Sequence, residues 1–352
     1  MSATDSITVR LGRPEDMSVV FEMIKKTADN NGVHGHEHLT IQKLLVDLFE
    51  CKPSWCSALV AEQGGASLGA AVYRRGYWSW SGRTLVLVGL YVRPPARGKG
   101  LGRRLVLELC RLALAEHAQL DWLQPRDPTA LGFFAQFRPH NITLDDHCTM
   151  KMRVDSITLA ATRTPGTDCV SSERRDRSDV VHNQSPDANQ NMVTARLALL
   201  DDMAAISDMI NELAVYQEHP DGPQLSVKDL EEDGFGSSPW FFAFVAERDG
   251  VAVGMVMGNR DWDGTRGHYL QSLYVRPSAR RCGVAVLLIK EFCKFSLAQG
   301  VEYIHLNVAN DNAPALKLYR RLRAVDVAAV DCPVAYRISR SQIKDIVLQS
   351  QF

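Results

Sequence analysis

The chain has 352 residues, 45% hydrophobic and 23% charged, the balance of a folded polypeptide long enough for two domains with a core each. Lys plus Arg number 40 and Asp plus Glu 41, so the net charge of −1 gives no global pull toward nucleic acid. No apolar run reaches the ~20 residues that span a bilayer, the opening MSATDSITVR lacks a signal-peptide core, and the eight cysteines show no zinc spacing. We therefore expect a cytoplasmic protein with reduced thiols, no membrane or nucleic-acid partner and no resident metal.

In chain order, the first feature is PEDMSVVFEMI from Pro14, which returns as LDDMAAISDMI from Leu200. LVAE at Leu59–Glu62 returns as FVAE at Phe244–Glu247, and LYVRP at Leu90–Pro94 returns at Leu273–Pro277. The blocks keep their order at offsets of 183 to 186, which marks a duplicated domain rather than a solenoid of short repeats. We place a first domain at 1–161, a polar flexible linker at 162–191 and a second domain at 192–352. The first copy carries net positive charge and the second net negative, so they are not expected to bind the same things.

In the second copy, Asp201 or Asp202 is expected to cap a helix with Met203, Ile206, Met209, Ile210 and Leu213 on one face. WFFAFVAE and GVAVGMVMGN read as strands joined at Arg248–Gly250, and HYLQSLYV as a third strand. AVLLIKEFCKFSLAQG reads as a helix, EYIHLNV as a strand, and NAPALKLYRRL as a helix with Asn312 as N-cap. The first copy follows the same order, giving a mixed α/β fold with one sheet per copy.

The turn Arg97-Gly98-Lys99-Gly100-Leu101-Gly102 lies between a strand ending near Val92 and a helix, and Arg280-Arg281-Cys282-Gly283-Val284-Ala285 holds the same place. Glycine admits positive φ and close approach. The amides of such a turn and of a helix N-terminus suit a pyrophosphate. Cys282 is expected to be an ordinary thiol, and the alternating His34, His36 and His38 a loop or substrate-side feature rather than a metal site.

Strand, R-x-x-G-x-G/A, then helix resembles the acetyl-CoA loop of GNAT N-acetyltransferases, and both copies look like whole GNAT domains. VKDLEEDGFGSSPWFFAFVAE and VANDNAPALKLYRRLRAVD in the second copy are similar to diamine (spermidine/spermine and thialysine) acetyltransferases, with WSWSGRT giving the first copy a similar flavour. The resemblance implies tandem domains, each with a mixed sheet flanked by helices. It implies pantetheine on the backbone of Leu273, Tyr274 and Val275, and of Leu90, Tyr91 and Val92, and pyrophosphate on the two loops. Tyr319 would be the acid that protonates the CoA thiolate and would touch CoA. An N–H near Val275 would be the oxyanion donor, and Asn312 a secondary CoA contact.

In the first copy Phe134 stands where the second has Tyr319, and phenylalanine donates no proton. That copy is expected to bind CoA with weak or no chemistry. The family's strand carboxylates are replaced by Gln271 and Ser272, and by Val88 and Gly89, which leaves the base unassigned. For amine binding we consider Glu232, Asp233, Asp263, His268 and Gln271, with Glu231 and Asp261 also near. The expected activity is acetyl transfer from acetyl-CoA to a small-molecule primary amine. The alternatives are a non-catalytic CoA sensor or scaffold and an enzyme acting on protein amines. The copies are expected to form an intramolecular pseudo-dimer, or the chain a homodimer.

Overall fold

The structure, a computed structural model, describes residues 7–31, 38–124, 128–141, 147–153, 193–218, 222–326 and 334–338. The expected linker, with His34 and His36, lies outside them. The first half runs β1 (Thr8–Leu11), α1 (Met17–Asn31), α2 (Ile41–Leu45), β2 (Ser57–Gln63), β3 (Ala66–Trp78), β4 (Gly82–Val92), α3 (Leu101–Ala115), β5 (Gln119–Gln124), α4 (Pro128–Ala135), β6 (His140–Asn141) and β7 (His147–Arg153). The second runs β8 (Thr194–Leu197), α5 (Met203–Tyr216), α6 (Val227–Phe235), β9 (Phe242–Arg248), β10 (Val251–Trp262), β11 (Arg266–Val275), α7 (Val284–Ala298), β12 (Tyr303–Ala309), α8 (Ala313–Arg321), β13 (Val325–Asp326) and β14 (Val334–Ile338). No described helix is long and apolar enough to cross a membrane.

Helical periodicity sets the faces. Met203, Ile206, Met209, Ile210 and Leu213 of α5 are buried as their spacing requires. The expected side-chain cap of α5 is absent because Asp202 is used elsewhere. Its carboxylate accepts from Leu199 N at 2.7 Å and pairs with Arg196 at 2.6 Å. Asp16 does the same with Arg13 N and Arg10. The β9–β10 turn places Asp249 at φ 52° and Gly250 at φ 77°, the left-handed pair that a tight hairpin favours.

The described residues form two seven-stranded sheets, and they exchange strands. One runs β1-β2-β3-β4-β5-β14-β6, the other β13-β7-β12-β11-β10-β9-β8. β7, from the first half, pairs antiparallel with β12 over seven residues, from Tyr303↔Arg153 to Ala309↔His147. β14, from the second half, pairs antiparallel with β5 from Val334↔Gln124 to Ile338↔Leu120. Each half thus completes the other's sheet. Pairing is parallel only at β4/β5 and β11/β12 among the described strands. The core follows suit: one apolar cluster joins Met17, Leu44 and Trp55 to Phe244, Leu288 and Tyr319, and the other joins Leu105 and Trp122 to Met203 and Trp240.

Candidate active site

β11 ends at Val275, a short 3-10 turn covers Pro277–Ala279, and residues 280–283 lead into α7. Gly283 precedes that helix at φ 76°, and Gly100 precedes α3 at φ 75°. Both are left-handed, and neither helix has a side-chain cap, so first-turn amides remain available to an anion. Gly98 sits at φ 75°, and its counterpart Arg281 holds φ 64°, a conformation unfavourable for a side-chain-bearing residue. Arg97 Nε donates to Val92 O at 3.0 Å and Arg280 Nε to Val275 O at 2.9 Å, which latches each loop to the end of its strand.

The strands beside these loops part company. β11 and β12 are in register only over Gly267↔Tyr303, His268↔Ile304 and Tyr269↔His305. Beyond that, β11 continues with β10 to Val275 and β12 with β7 to Ala309. The edges of Leu273, Tyr274 and Val275 that face β12 therefore lie outside the ladder. In the first copy β4 and β5 stay in register from Thr84↔Gln119 to Leu87↔Trp122, which leaves Leu90, Tyr91 and Val92 in the same position. A bulge marks each splay: Gln271 is extra between Leu270 and Ser272, and Val88 between Leu87 and Gly89.

Tyr319, on α8, is 4% exposed among Leu306, Val308, Leu316 and Leu322. Its hydroxyl has no hydrogen-bond partner among the described residues, and burial pushes its pKa up, so the phenol holds its proton. Asn312 Oδ1 accepts from Ala315 N at 3.2 Å, which commits this side chain to capping α8. In the first copy Phe134 stacks on Trp122 with ring centroids 4.7 Å apart.

The acceptor-side candidates scatter. Asp233 is buried and pairs with Arg83 of the first copy. Asp263 caps the β10–β11 hairpin, accepting from Thr265 Oγ1 at 3.1 Å. Glu232 is exposed on α6, 3.7 Å from Lys228. His268 is 1% exposed, and burial, then Arg260, pushes its pKa down to about 3. Ser272 Oγ meets Ser79 Oγ of the first copy at 2.9 Å. Gln271 alone of the five stands at the splay with an unused group: its buried Oε1 has no partner among the described residues. The sequence reading missed His305, at the last registered pair of the splay. Its Nδ1 lies 3.1 Å from Asp261 Oδ2, and Asp261 also pairs with Arg74 of the first copy at 2.7 Å. A histidine in a strand facing an acidic residue two strands away was the available signal. In the first copy Asp121 takes this register position and accepts from Trp78 Nε1 at 2.8 Å.

This geometry agrees with the comparisons. The model of the acetyltransferase (GNAT) family matches residues 26–137 and 206–323, about two-thirds of the chain. The chain belongs to the GNAT family. A thialysine N-epsilon-acetyltransferase from Sus scrofa is 30% identical over 165 residues, 44% of this chain and 96% of the relative. A human spermidine/spermine N(1)-acetyltransferase-like protein is 25% identical over 41% of this chain and 22% of its own length. A tandem GNAT protein from the clavulanic acid biosynthesis pathway shares the fold at 14% identity and a TM-score of 0.50, covering 95% of this chain and 99% of that one.

The two GNAT copies meet in an exchange that repeats itself. Asp47 of the first copy accepts from Arg266 Nε at 2.7 Å and Trp262 Nε1 at 2.9 Å of the second. Asp233, 186 residues later, takes Arg83 of the first. Trp55 stacks under Arg260 at 4.7 Å, and Trp240 under Arg75 at 4.3 Å. Such reciprocity is what two-fold related subunits show, here within one chain.

Proposed function

We propose that the second GNAT copy transfers acetyl from acetyl-CoA to the primary amine of a small, amino-acid-like or diamine molecule, and that the first copy binds CoA and braces the second. What carries this reading is the asymmetry at equivalent places. A buried, protonated Tyr319 and a His305–Asp261 pair flank the splay of the second copy. Phe134 and Asp121 stand in the first. Acetyl-CoA supplies an acyl group activated as a thioester; the amine nitrogen bonds to its carbonyl carbon and the carbon–sulfur bond breaks. The edge of Leu273–Val275 would hold the pantetheine arm, with a backbone N–H near Val275 facing the developing oxyanion. The amides of Arg281–Ala285 and the cations Arg280 and Arg281 would hold the pyrophosphate. In the first copy Arg97, Lys99 and the amides of Gly98, Gly100, Leu101 and Gly102 would serve the same group. Gln271 Oε1 would accept from the acceptor amine. His305, steered by Asp261, would take the proton the amine sheds, and Tyr319 would give its proton to the departing sulfur.

The test is thiol release by the full chain with acetyl-CoA and a panel of primary amines, thialysine and spermidine included. Tyr319→Phe should lower turnover by about 100-fold, the low end for a general acid, with acetyl-CoA affinity unchanged. Unchanged turnover would remove Tyr319 from the chemistry. Binding of acetyl-CoA without thiol release on any amine would favour a sensor role.

A further inference from the structure

A cavity of about 280 Å³ lies between the two copies, at the end of the second sheet opposite the cofactor loop. Phe295 and Gln299, at the C-terminal end of α7, help line it. The 280–283 turn opens the other end of this 15-residue helix, about 20 Å away. None of Gln271, Val275, His305 and Tyr319 lines it, so the cavity is separate from the proposed acetyl-transfer site as well as from that turn.

Its walls combine Trp55, Phe242 and Phe295 with polar side chains, among them Arg75, Arg260, His268 and Gln299. Arg260 and His268 are direct cross-strand partners and so share one face of the sheet. Each has an unmet requirement. Arg260 donates to Pro53 O and lies over Trp55, yet no carboxylate pairs with it among the described residues. His268 Nδ1 lies 2.8 Å from Ser296 Oγ, and that hydroxyl donates to Phe292 O at 2.8 Å. Nδ1 must then carry the proton, which leaves Nε2 as a bare acceptor without a described partner.

The first copy shows what a satisfied version looks like. Arg75, the counterpart of Arg260, pairs with Glu116. The residue equivalent to Glu116 in the second copy is Gln299, which is neutral and lines the cavity. Leu85 and Ala113 stand in for His268 and Ser296, so that copy has neither the spare charge nor the bare nitrogen. A half-buried cation without a counter-ion is costly, and an anion from solution removes the cost.

We propose that this cavity is a second ligand site, for a small organic carboxylate with an aromatic or branched apolar body and a hydroxyl or N–H donor beside the carboxylate. The carboxylate pairs with Arg260, the donor meets His268 Nε2, and the body packs on Trp55, Phe242 and Phe295. The volume holds roughly nine waters' worth of ligand.

Mandelate is a suitable probe, with phenylacetate lacking the hydroxyl and benzyl alcohol lacking the carboxylate. Calorimetry and thermal shift on the full chain should show saturable binding of mandelate, which raises the melting temperature by linkage. Phenylacetate should bind about 5-fold more weakly for one lost hydrogen bond, and benzyl alcohol at least about 10-fold more weakly for the lost ion pair. Gln299→Glu restores the ion pair of the first copy, so it should raise the melting temperature and abolish mandelate binding. Arg260→Met should abolish it too. Mandelate binding unchanged in Gln299→Glu would place the ligand elsewhere and overturn the proposal. So would no saturable response to mandelate or phenylacetate up to about 10 mM, below the weak end of specific binding.

Discussion

Asp47 and Arg266, 219 residues apart in sequence, meet at 2.7 Å across the boundary between the two GNAT copies. The Asp47 side chain is 5% exposed and also receives the indole N–H of Trp262. Removing the carboxylate leaves Arg266 and that N–H without their acceptor. Asp47→Ala should therefore destabilise the chain by about 3 kcal/mol, the low end for breaking a buried pair. Urea unfolding checks this; a midpoint equal to wild type would mean that water replaces the carboxylate without penalty.

The strand exchange predicts how the chain behaves when cut. β7 lies between β12 and β13, and β14 between β5 and β6, so neither half keeps a complete sheet by itself. Residues 192–352 produced alone should expose the edge of β12 left by β7, and β14 without its neighbours β5 and β6, and self-associate. Residues 1–161 and 192–352 produced together should assemble one-to-one and regain the full chain's acetyl-CoA binding. Size-exclusion chromatography with light scattering reads both outcomes, and a stable monomer of 192–352 would contradict the prediction.

Much of this was legible in the sequence. The offset near 185 exposed the duplication, and strand alternation and helical spacing gave the elements because those patterns depend on local geometry. The Arg-Gly turn was legible because positive φ at Gly98, Gly100 and Gly283 leaves a compositional mark. The exchange of β7 and β14 was not, because alternation reports that a segment is a strand but not which sheet edge receives it. Asp233 stands among the amine-binding candidates in the sequence, and its burial was not legible because it comes from Arg83 and Tyr77 of the other copy, far away in sequence. Yet Asp47 and Asp233, and Trp55 and Trp240, sit at the repeat offset, and that coincidence carried the boundary's signature.

The loop of the second copy carries backbone strain that the first avoids. Arg281 holds φ 64° where Gly98 holds φ 75°. Arg281→Gly should relieve the left-handed strain and raise stability by about 1 kcal/mol, within the range for this conformation. If the cation also contacts the pyrophosphate, the same variant should bind acetyl-CoA several-fold more weakly. Thermal melts and calorimetry separate the two effects. Unchanged affinity would leave the loop amides and Arg280 as the phosphate contacts.

His268 makes stability depend on pH, and the sign follows from its environment. Burial first, and Arg260 second, push its pKa down to about 3, while Asp261 opposes them. An unfolded histidine titrates near ~6.5, so between ~6.5 and ~3 the unfolded chain binds a proton that the folded chain refuses. The contribution is full above the unfolded pKa and is lost as pH falls through that window. At pH ~5 it should cost on the order of 2 kcal/mol relative to neutral pH. His268→Leu with Ser296→Ala installs the pair found in the first copy, Leu85 and Ala113, and should remove this part of the acid sensitivity. Denaturant midpoints for both proteins at pH 7 and pH 5 make the comparison. Equal losses in the variant and the wild type would assign the acid sensitivity to other groups, of which Asp16 and Asp202, held below the usual carboxylate range by Arg10 and Arg196, titrate at lower pH.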